Sequence, residues 1–263
     1  MIPGAAAMRK TIILVPIYKD RLDPLEQYSL DHSLTVLGGR HPLLFIGPEG
    51  LDLSAYQARY PGMQYLAFPA ENFVSIPGYN RLLLSPGFYT RFLSYEYLLI
   101  LQTDAILLQD ELDYWAAQPF DYVGAPWPDG VEILVNAGVF DGPRGKRTRA
   151  HVGNGGLSLR RVRKCLSLLQ EFGAAVDIFD RTGSSEDLFF SIMGGLSTDF
   201  ILPNEVMASR FAMELKPSFY FAVNGGQAPM GGHAWWKYEP EFWRQLLPEM
   251  PEAVVQCLPE RST

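Results

Sequence analysis

Runs of consecutive apolar residues, separated by an amphipathic stretch, dominate the first part of the chain. Residues 11–18, 42–47 and 98–101 form such runs, which are typical of strands buried on both faces of a parallel sheet. Between the first two runs, apolar residues from 25 to 37 recur at helical spacing, and Gly38 follows them. This pattern predicts a helix that ends at a glycine cap. The alternation of strand and helix predicts βαβ units and an α/β fold.

The rest of the chain shows weaker periodicity, from which we predict further elements. They are a short strand at 63–68, a partly helical stretch at 76–92, a short helix at 110–115, a strand at 120–127, helices at 161–172 and 204–215, and a helical tail from Glu239. A glycine-flanked loop is predicted at 225–237 and another loop at Asp129–Arg149, which is rich in Gly and Pro. The second loop carries the basic residues Arg144, Lys146, Arg147 and Arg149. Such a loop is either solvated or a flap that faces an anion.

One predicted strand runs into two polar residues within otherwise apolar surroundings. Gln102 and Asp104 follow the run 98–101, and apolar residues resume from 105 to 108. Side chains alternate along a strand, so these two are expected to point the same way. Burial of a carboxylate is unfavourable unless it is compensated, and a binding site at the strand end explains the pair. A turn cap or an ion pair with an arginine explains Asp104 equally well.

Other polar residues also fall near the carboxyl ends of predicted strands, the edge at which parallel sheets bind ligands. Tyr18 and Glu49 follow the first two strands, so we expect them near Gln102 and Asp104. Arg81 lies between the third and the central strand on a predicted helix. There its guanidinium would meet a phosphate or, as the commoner case, solvent.

Three stretches in the second half of the chain carry residues that could bind a ligand or take part in catalysis, and each alone is weak evidence for a site. Residues 153–156 (Gly-Asn-Gly-Gly) permit close approach of a ligand to the backbone, but their spacing is not that of a nucleotide-binding glycine motif. Residues 186–187 (Glu-Asp) stand at the start of a predicted apolar helix. Acidic residues are favoured there by the helix dipole, so they are either capping residues or include a general base. His233 lies in a loop, as a packed residue or as a ligand, and the scattered histidines exclude an HxxxH zinc site.

Composition narrows the class of protein. Of 263 residues, 48% are hydrophobic, and 22 basic against 29 acidic residues give a net charge of -7. This balance argues against a nucleic-acid-binding surface. Cys165 and Cys257 form neither a metal-ligand spacing nor a disulfide framework. Because we find no signal-peptide pattern and no apolar run of roughly 18 residues, we expect a cytoplasmic protein without a membrane span.

Several motifs together resemble DUF5672, a bacterial family of unknown function that is classed with glycosyltransferases of the GT-A fold. The resemblance covers most of the chain from Thr11 to Trp243. The matching motifs are VPIYK at 15–19, YEYLLILQTDAILLQDELDYW at 95–115, DYVGAPW at 121–127, GNGGLSLR at 153–160, SEDLFF at 185–190 and GGHAWWKY at 231–238. The resemblance implies a GT-A-like (Rossmann-like), mostly parallel central sheet flanked by helices, with a smaller acceptor-side subregion.

The resemblance also implies a metal and a nucleotide-sugar donor. Gln102-Thr103-Asp104 occupies the place of the DxD motif, which assigns a divalent ion, Mn²⁺ or Mg²⁺, to Asp104. His233 matches a histidine that completes the metal's ligands in such enzymes. Gln102 is uncharged and departs from the pattern, although Mg²⁺ binds through one carboxylate when phosphates and waters supply the other oxygens.

The remaining roles implied by the resemblance divide between donor and acceptor. The nucleotide would be bordered by Pro16, Tyr18 and Glu49. Asp187 of the Glu186-Asp187 pair matches the base that deprotonates the acceptor hydroxyl in inverting enzymes. The sugar pocket would be shaped by Trp127, Asn154, Gly155, Gly156 and Trp235.

We therefore predict one domain over 8–263, with a nucleotide-binding half at about 8–115, an acceptor and catalytic half at about 116–245, and a helical tail. The predicted reaction is inverting sugar transfer to a glycan or glycolipid in surface polysaccharide or glycoconjugate synthesis, with possible peripheral association at the inner face of the membrane. One alternative is a catalytically silent domain that binds a nucleotide or sugar, as Gln102 permits. A nucleotidyltransferase is weaker, because the first strand lacks a Gly-rich, Lys-bearing phosphate loop.

Overall fold

Two sheets organise the described part of the chain, which in this computed structural model comprises residues 9–135, 146–247 and 249–259. The strands are β1 (Arg9–Pro16), β2 (Leu43–Pro48), β3 (Tyr65–Phe68), β4 (Tyr95–Leu101), β5 (Ala105–Leu107), β6 (Tyr122–Val135), β7 (Lys146–Arg161), β8 (Ala212–Met213) and β9 (Gly231–His233). The helices are α1 (Pro24–Leu37), α2 (Ser54–Arg59), α3 (Ile76–Leu83), α4 (Pro86–Thr90), α5 (Leu112–Trp115), α6 (Val162–Glu171), α7 (Gly173–Thr182), α8 (Glu186–Leu196), α9 (Glu205–Phe211), α10 (Pro217–Val223), α11 (Pro240–Leu246) and α12 (Glu252–Val255).

The larger sheet has the strand order β3-β2-β1-β4-β7-β6. The first four of these strands are parallel, and β7 and β6 are antiparallel to their neighbours. Residues 98–101 of β4 are almost fully buried, because apolar clusters cover both faces of the sheet. The predicted mostly parallel α/β sheet with flanking helices is confirmed.

The first helix begins and ends where its sequence dictates. Asp23 caps α1 by accepting hydrogen bonds from the backbone N–H groups of Leu25 and Glu26, and the Glu26 carboxylate accepts one from the N–H of Asp23. Such a capping box satisfies N–H groups that have no partner within the helix. The helix ends at Gly38, whose φ of 55° is left-handed, as the glycine cap predicts.

A small sheet of order β5-β9-β8 lies beyond the carboxyl end of β4. β5 pairs antiparallel with β9 so that Ala105 faces His233, and β8 pairs parallel with β9. The predicted loop 225–237 therefore contains a strand, and the predicted helix 204–215 is too long, because α9 ends at Phe211 and the chain continues into β8. Strands of two or three residues are too short to show any periodicity.

The prediction of a loop at 129–149 is wrong in its described part. Residues 131–135 and 146–150 are paired strands of the β6–β7 hairpin. Glu132 on β6 forms ion pairs with Arg147 (2.6 Å) and Arg149 (3.2 Å) on β7. The two arginines are thus occupied by a cross-strand partner rather than free to face an anion. Of the other basic residues of this cluster, Arg144 and the side chain of Lys146 lie outside the described residues.

The length and apolarity of the described helices bear on whether any of them could cross a membrane. None of them, in the ranges given above, combines the length and apolarity needed to cross a bilayer.

Candidate active site

A cleft of about 580 Å³ opens at the carboxyl ends of the parallel strands, the edge at which such sheets bind ligands. Its walls are the ends of β1 and β4, the middle of β7 and the first turns of α3 and α8. Most of the predicted site residues line it: Pro16, Tyr18, Gln102, Asp104, Asn154, Gly155, Gly156, Glu186, Asp187 and His233.

Asp104 and His233 meet in this cleft because of the small sheet. The β5–β9 register places Ala105 opposite His233, and the N–H of Ala234 donates to the carbonyl oxygen of Asp104 (2.9 Å). As a result, Asp104 Oδ1 lies 3.2 Å from His233 Nε2, and Asp104 Oδ2 lies 3.3 Å from Lys237 Nζ.

The electrostatics of the pair follow from its burial and its contacts. Burial is the largest single influence on the pKa of each side chain and opposes its charge, but the hydrogen bonds and charges of the neighbouring groups together outweigh it. The hydrogen bond with His233, with help from Lys237, lowers the pKa of Asp104 to about 2. The carboxylates of Asp104 and Glu214 raise the pKa of His233 to about 10. Near neutral pH the two side chains form a carboxylate–imidazolium pair.

A second group of contacts fixes the His233 ring. Its Nδ1 lies 3.4 Å from Oε1 of Glu214, and Asn154 donates from its side-chain amide to Oε2 of the same glutamate. The ring also packs directly on Gly156, where an added Cβ would lie 2.1 Å from two ring atoms. Gly156 thus provides the space that the imidazole occupies.

The donor atoms fit a divalent cation. Asp104 Oδ1 and Gln102 Oε1 each lie 3.2 Å from His233 Nε2, close to the separation of roughly 3 Å between adjacent ligands of an octahedral ion with bonds of about 2.1 Å. Glu214 Oε1 lies 3.4 Å from the other ring nitrogen, Nδ1, on the side where a metal-bound histidine usually donates to a carboxylate, although Nδ1 makes no hydrogen bond here. Within the described ranges no cluster of three or more acidic, histidine or cysteine residues could hold a metal. The amide of Gln102 would therefore be the third protein ligand.

Asp187 faces the cleft from the first turn of α8. It is half-buried, and its carboxylate accepts hydrogen bonds from the N–H groups of Leu188 (2.6 Å) and Gly155 (3.2 Å). Burial raises the pKa of Asp187 above its usual value, although these hydrogen bonds oppose the shift. A carboxylate with a raised pKa that remains within reach of the cleft is suited to accept a proton.

Its neighbour Glu186 is buried and paired with an arginine. Both carboxylate oxygens of Glu186 accept from the guanidinium of Arg160 at 2.9 Å, and Arg160 is fully buried. Arg160 also donates to the hydroxyls of Tyr89 (3.1 Å) and Ser158 (3.0 Å) and lies over the ring of Tyr122. The structure thus engages Glu186 in a buried ion pair, whereas the Asp187 carboxylate has no cationic partner of this kind among the described residues.

Several residues in or beside the cleft were not predicted from the sequence, among them Glu26, Glu214 and Lys237. Glu26 is buried, pairs with Lys19 (2.9 Å) and accepts a hydrogen bond from Thr103 (3.3 Å). Glu214 supports His233, and Lys237 pairs with Asp104. Lys237 stands within the GGHAWWKY motif and could have been singled out there. Glu26 was visible only as the last residue of a capping box.

Two predicted nucleotide-facing residues lie elsewhere. Glu49 is exposed and is not part of the lining of the cleft. Arg81 forms a surface ion pair with Asp180 (2.6 Å) instead of pointing at the cleft. The structure thus places both side chains on solvated faces outside the lining of the cleft, and their predicted contact with a nucleotide stays a prediction.

The two tryptophans expected in the sugar pocket do not line the cleft. Trp235 is fully buried, and its indole N–H donates to the hydroxyl of Ser29 (2.8 Å), so this side chain belongs to the core. Trp127 is half-buried, packs against the apolar cluster on one face of the large sheet and lies against Gly153. A pocket wall made of indoles is thus not present at these positions.

The fold matches solved structures of the galactosyltransferase LgtC. The crystal structure of LgtC with donor and acceptor sugar analogues is 13% identical with a TM-score of 0.55, and the match covers 93% of this chain and 99% of that chain. An active-site mutant of LgtC is 14% identical with a TM-score of 0.54, and covers 92% and 98%. The chain therefore has the GT-A fold of glycosyltransferases.

Within this fold class, the chain belongs to the family DUF5672, described as a protein of unknown function, which matches residues 62–233. No curated protein sequence matches this chain.

Proposed function

We propose that the protein transfers a sugar from a nucleotide-sugar donor to a hydroxyl of a glycan or glycolipid acceptor. The observation that carries the proposal is the convergence of Asp104, His233, Gln102 and Lys237 at the end of β4, with the Asp187 carboxylate in the same cleft. Departure of a nucleoside diphosphate requires stabilisation of negative charge, and attack by a hydroxyl requires a base. The two groups of side chains correspond to these two requirements.

Each group has a defined task in the proposed reaction. Asp104, His233 and Gln102 would hold a divalent ion, which supplies charge neutralisation for the departing diphosphate. Because the pKa of His233 is raised to about 10, binding at Nε2 requires loss of the imidazolium proton. Lys237 donates to the diphosphate oxygens, and Asp187 takes the proton of the acceptor hydroxyl in an inverting displacement. The synthesis of surface polysaccharide or glycoconjugate near the inner membrane face stays a prediction.

The donor site is tested by thermal shift with a panel of nucleoside diphosphates, each with and without Mn²⁺. A ligand at a hundred times its dissociation constant adds about 2.7 kcal/mol of stability, so wild type is expected to show a clear metal-dependent shift with one nucleotide. Asp104→Asn is expected to lose the metal-dependent part, because the metal's only carboxylate ligand is gone. Asp113→Asn, on a side chain that is 79% exposed, serves as the control. A full metal-dependent shift in Asp104→Asn would contradict the proposal.

A catalytically silent binding domain is the second candidate. Two residues favour it. Gln102 would bring no charge to a metal, and Lys237 already neutralises the charge of Asp104 in the absence of a metal. The two candidates differ in chemistry. Incubation of wild type with the nucleotide-sugar that binds best, followed by detection of free nucleoside diphosphate, supports the enzyme if the product accumulates with turnover. Tight binding with no release of nucleoside diphosphate supports the silent domain.

Gly156→Ala provides a test of the His233 position. The added methyl group would lie 2.1 Å from the imidazole, so the ring must leave its present position beside Asp104. Since misplacing the support of a metal ligand typically costs 10–100-fold in affinity, we expect a loss of about that size in Mn²⁺ binding, measured by calorimetry. Gly195→Ala is the matched control, because an added Cβ there meets no atom within 4 Å. Equal Mn²⁺ affinity in both variants would remove His233 from the metal site.

A further inference from the structure

The hydroxyl of Tyr79, on α3, is a buried polar group without a hydrogen-bond partner in the described part of the chain. The tyrosine lines the cleft, and its ring packs against that of Phe73 with ring centroids 6.0 Å apart. Burial raises the pKa of this phenol, so the hydroxyl is protonated and able both to donate and to accept. Polar atoms that stay unpaired in a folded interior are uncommon, and each calls for an explanation.

Most of the polar groups around this hydroxyl are engaged with other partners. The charges of Arg160 and Glu186 act on its pKa, and the side-chain amide of Gln102 lies near it without making a hydrogen bond of ordinary geometry. The carbonyl oxygen of the Gln102 amide lies 3.2 Å from His233 Nε2, and both carboxylate oxygens of Glu186 accept from Arg160. Arg160 and Glu186 are thus committed to each other, and the Gln102 carbonyl oxygen to His233, so that the amide N–H of Gln102 is the neighbour left near the Tyr79 hydroxyl.

The position of the hydroxyl indicates what it meets. Tyr79 lines the same cleft as Gln102, at the end of β4 where the diphosphate is proposed to bind, and as Asp187, the proposed base in the first turn of α8. Gln102 and Glu186, the neighbour of Asp187, both influence the pKa of the Tyr79 hydroxyl. In a transfer reaction the donor's sugar ring must occupy the space between the leaving diphosphate and the base. Asn80, the next residue of α3, is buried and lines the same wall.

We propose that the Tyr79 hydroxyl forms a hydrogen bond with a hydroxyl of the donor's sugar ring, and so helps to select the sugar. This inference rests on the proposed function, because it requires a nucleotide-sugar in the cleft. A sugar hydroxyl both donates and accepts, which matches the phenol, whereas the bare nucleoside diphosphate offers nothing at this position. Tyr79 is thus assigned to the recognition of the sugar and not to that of the nucleotide.

The test is Tyr79→Phe, which removes one oxygen atom and leaves the ring in place. For the nucleotide-sugar that binds wild type best, we expect dissociation constants measured by calorimetry with Mn²⁺ to rise about five- to tenfold. The affinity for the corresponding nucleoside diphosphate is expected to stay within about twofold. A donor lacking the recognised sugar hydroxyl is expected to bind wild type and Tyr79→Phe equally.

The melting temperature of the ligand-free variants separates recognition from a structural role. Tyr79→Phe is expected to melt no lower than wild type, because the lost hydroxyl has no internal partner. Tyr89→Phe is the matched control and is expected to melt lower, because the Tyr89 hydroxyl accepts from Arg160 at 3.1 Å. Equal nucleotide-sugar affinity in wild type and Tyr79→Phe, or a lower melting temperature for Tyr79→Phe, would overturn the inference and leave the proposed function standing. Failure of wild type to bind any nucleotide-sugar would instead overturn the proposed function.

Discussion

Asp187→Asn is expected to reduce turnover by about 10²–10⁴-fold, the range that a positioned general base contributes. The amide keeps the shape of the side chain and an oxygen that accepts from Gly155 or Leu188, but it cannot take a proton. Donor binding is expected to remain near that of wild type, because Asp187 belongs to α8 and not to the strand end at which the diphosphate is proposed to bind. The loss should therefore appear in kcat, measured from nucleoside diphosphate release in the presence of acceptor.

The pH dependence distinguishes a base from a structural carboxylate. A base acts only when it is ionised, so activity falls as the pH falls through its pKa. Because burial raises the pKa of Asp187, the acidic limb of kcat in wild type should lie above the pKa of an ordinary aspartate. That limb should disappear in Asp187→Asn. A variant with full turnover, or with the acidic limb of wild type, would rule out the base assignment.

Two further readouts complete the test. Burial disfavours the charged form of Asp187, so the neutral amide removes this cost near neutral pH and should leave the melting temperature unchanged or higher. A large drop in melting temperature would mean that the loss of activity reflects damage to α8.

The anomeric configuration of the first-formed product, read by NMR, reports on the stereochemistry directly. Inversion is required if Asp187 activates the acceptor for a single displacement.

Arg160→Met is expected to lower the free energy of unfolding by about 3–5 kcal/mol, because it leaves a buried carboxylate without its cationic partner. Glu186 loses both of its hydrogen bonds to Arg160, and Tyr89 and Ser158 each lose a donor. Small proteins have a total stability of about 5–15 kcal/mol, so the change is large enough to leave part of the protein unfolded. Urea denaturation followed by circular dichroism measures it.

The surface pair of Arg81 and Asp180 offers a matched control. Their side chains are 55% and 39% exposed, and exposed ion pairs contribute about 0–1 kcal/mol. Arg81→Met should therefore be nearly neutral. If Arg160→Met does not fold, the double variant Arg160→Met with Glu186→Leu should regain much of the stability, since no charge is left unpaired. Equal stability of Arg160→Met and Arg81→Met would contradict the buried-pair interpretation.

The parts of the fold that the sequence predicted are those with a local cause. β1, β2 and β4 are continuous apolar runs because the sheet buries them on both faces, and α1 carries its own capping residues. The β6–β7 hairpin was missed beyond Trp127, because Pro and Gly and the basic residues indicate a loop. Its pairing depends on the partner strand, as the contact of Glu132 with Arg147 and Arg149 shows. β9 pairs with β5, more than a hundred residues away, and β8 pairs only with β9 among the described strands.

The same distinction applies to the site. Gln102 and Asp104 stood out because they interrupt an apolar stretch, and both line the cleft. Trp235 could equally have faced a sugar or the core, and its hydrogen-bond partner Ser29 lies 206 residues away in sequence. Glu214 and Tyr79 carried no local signal, since the support of His233 and the lack of a partner for a hydroxyl depend on the folded surroundings. The roles of the site residues remain predictions.

The pairing of β9 with β5 also has a consequence for protein synthesis. His233 is separated from Gln102 by 131 residues, and only the last strand of the small sheet brings them together. A chain emerging from the ribosome, whose earlier segments begin to fold first, thus carries Gln102 and Asp104 for about half of its translation without their partner. A slip of one residue in the β5–β9 register would turn His233 to the opposite face of the sheet. Under the proposed function, donor binding should therefore begin only when β9 has been made and paired in register, and prematurely terminated chains that end before Gly231 should bind no nucleotide-sugar.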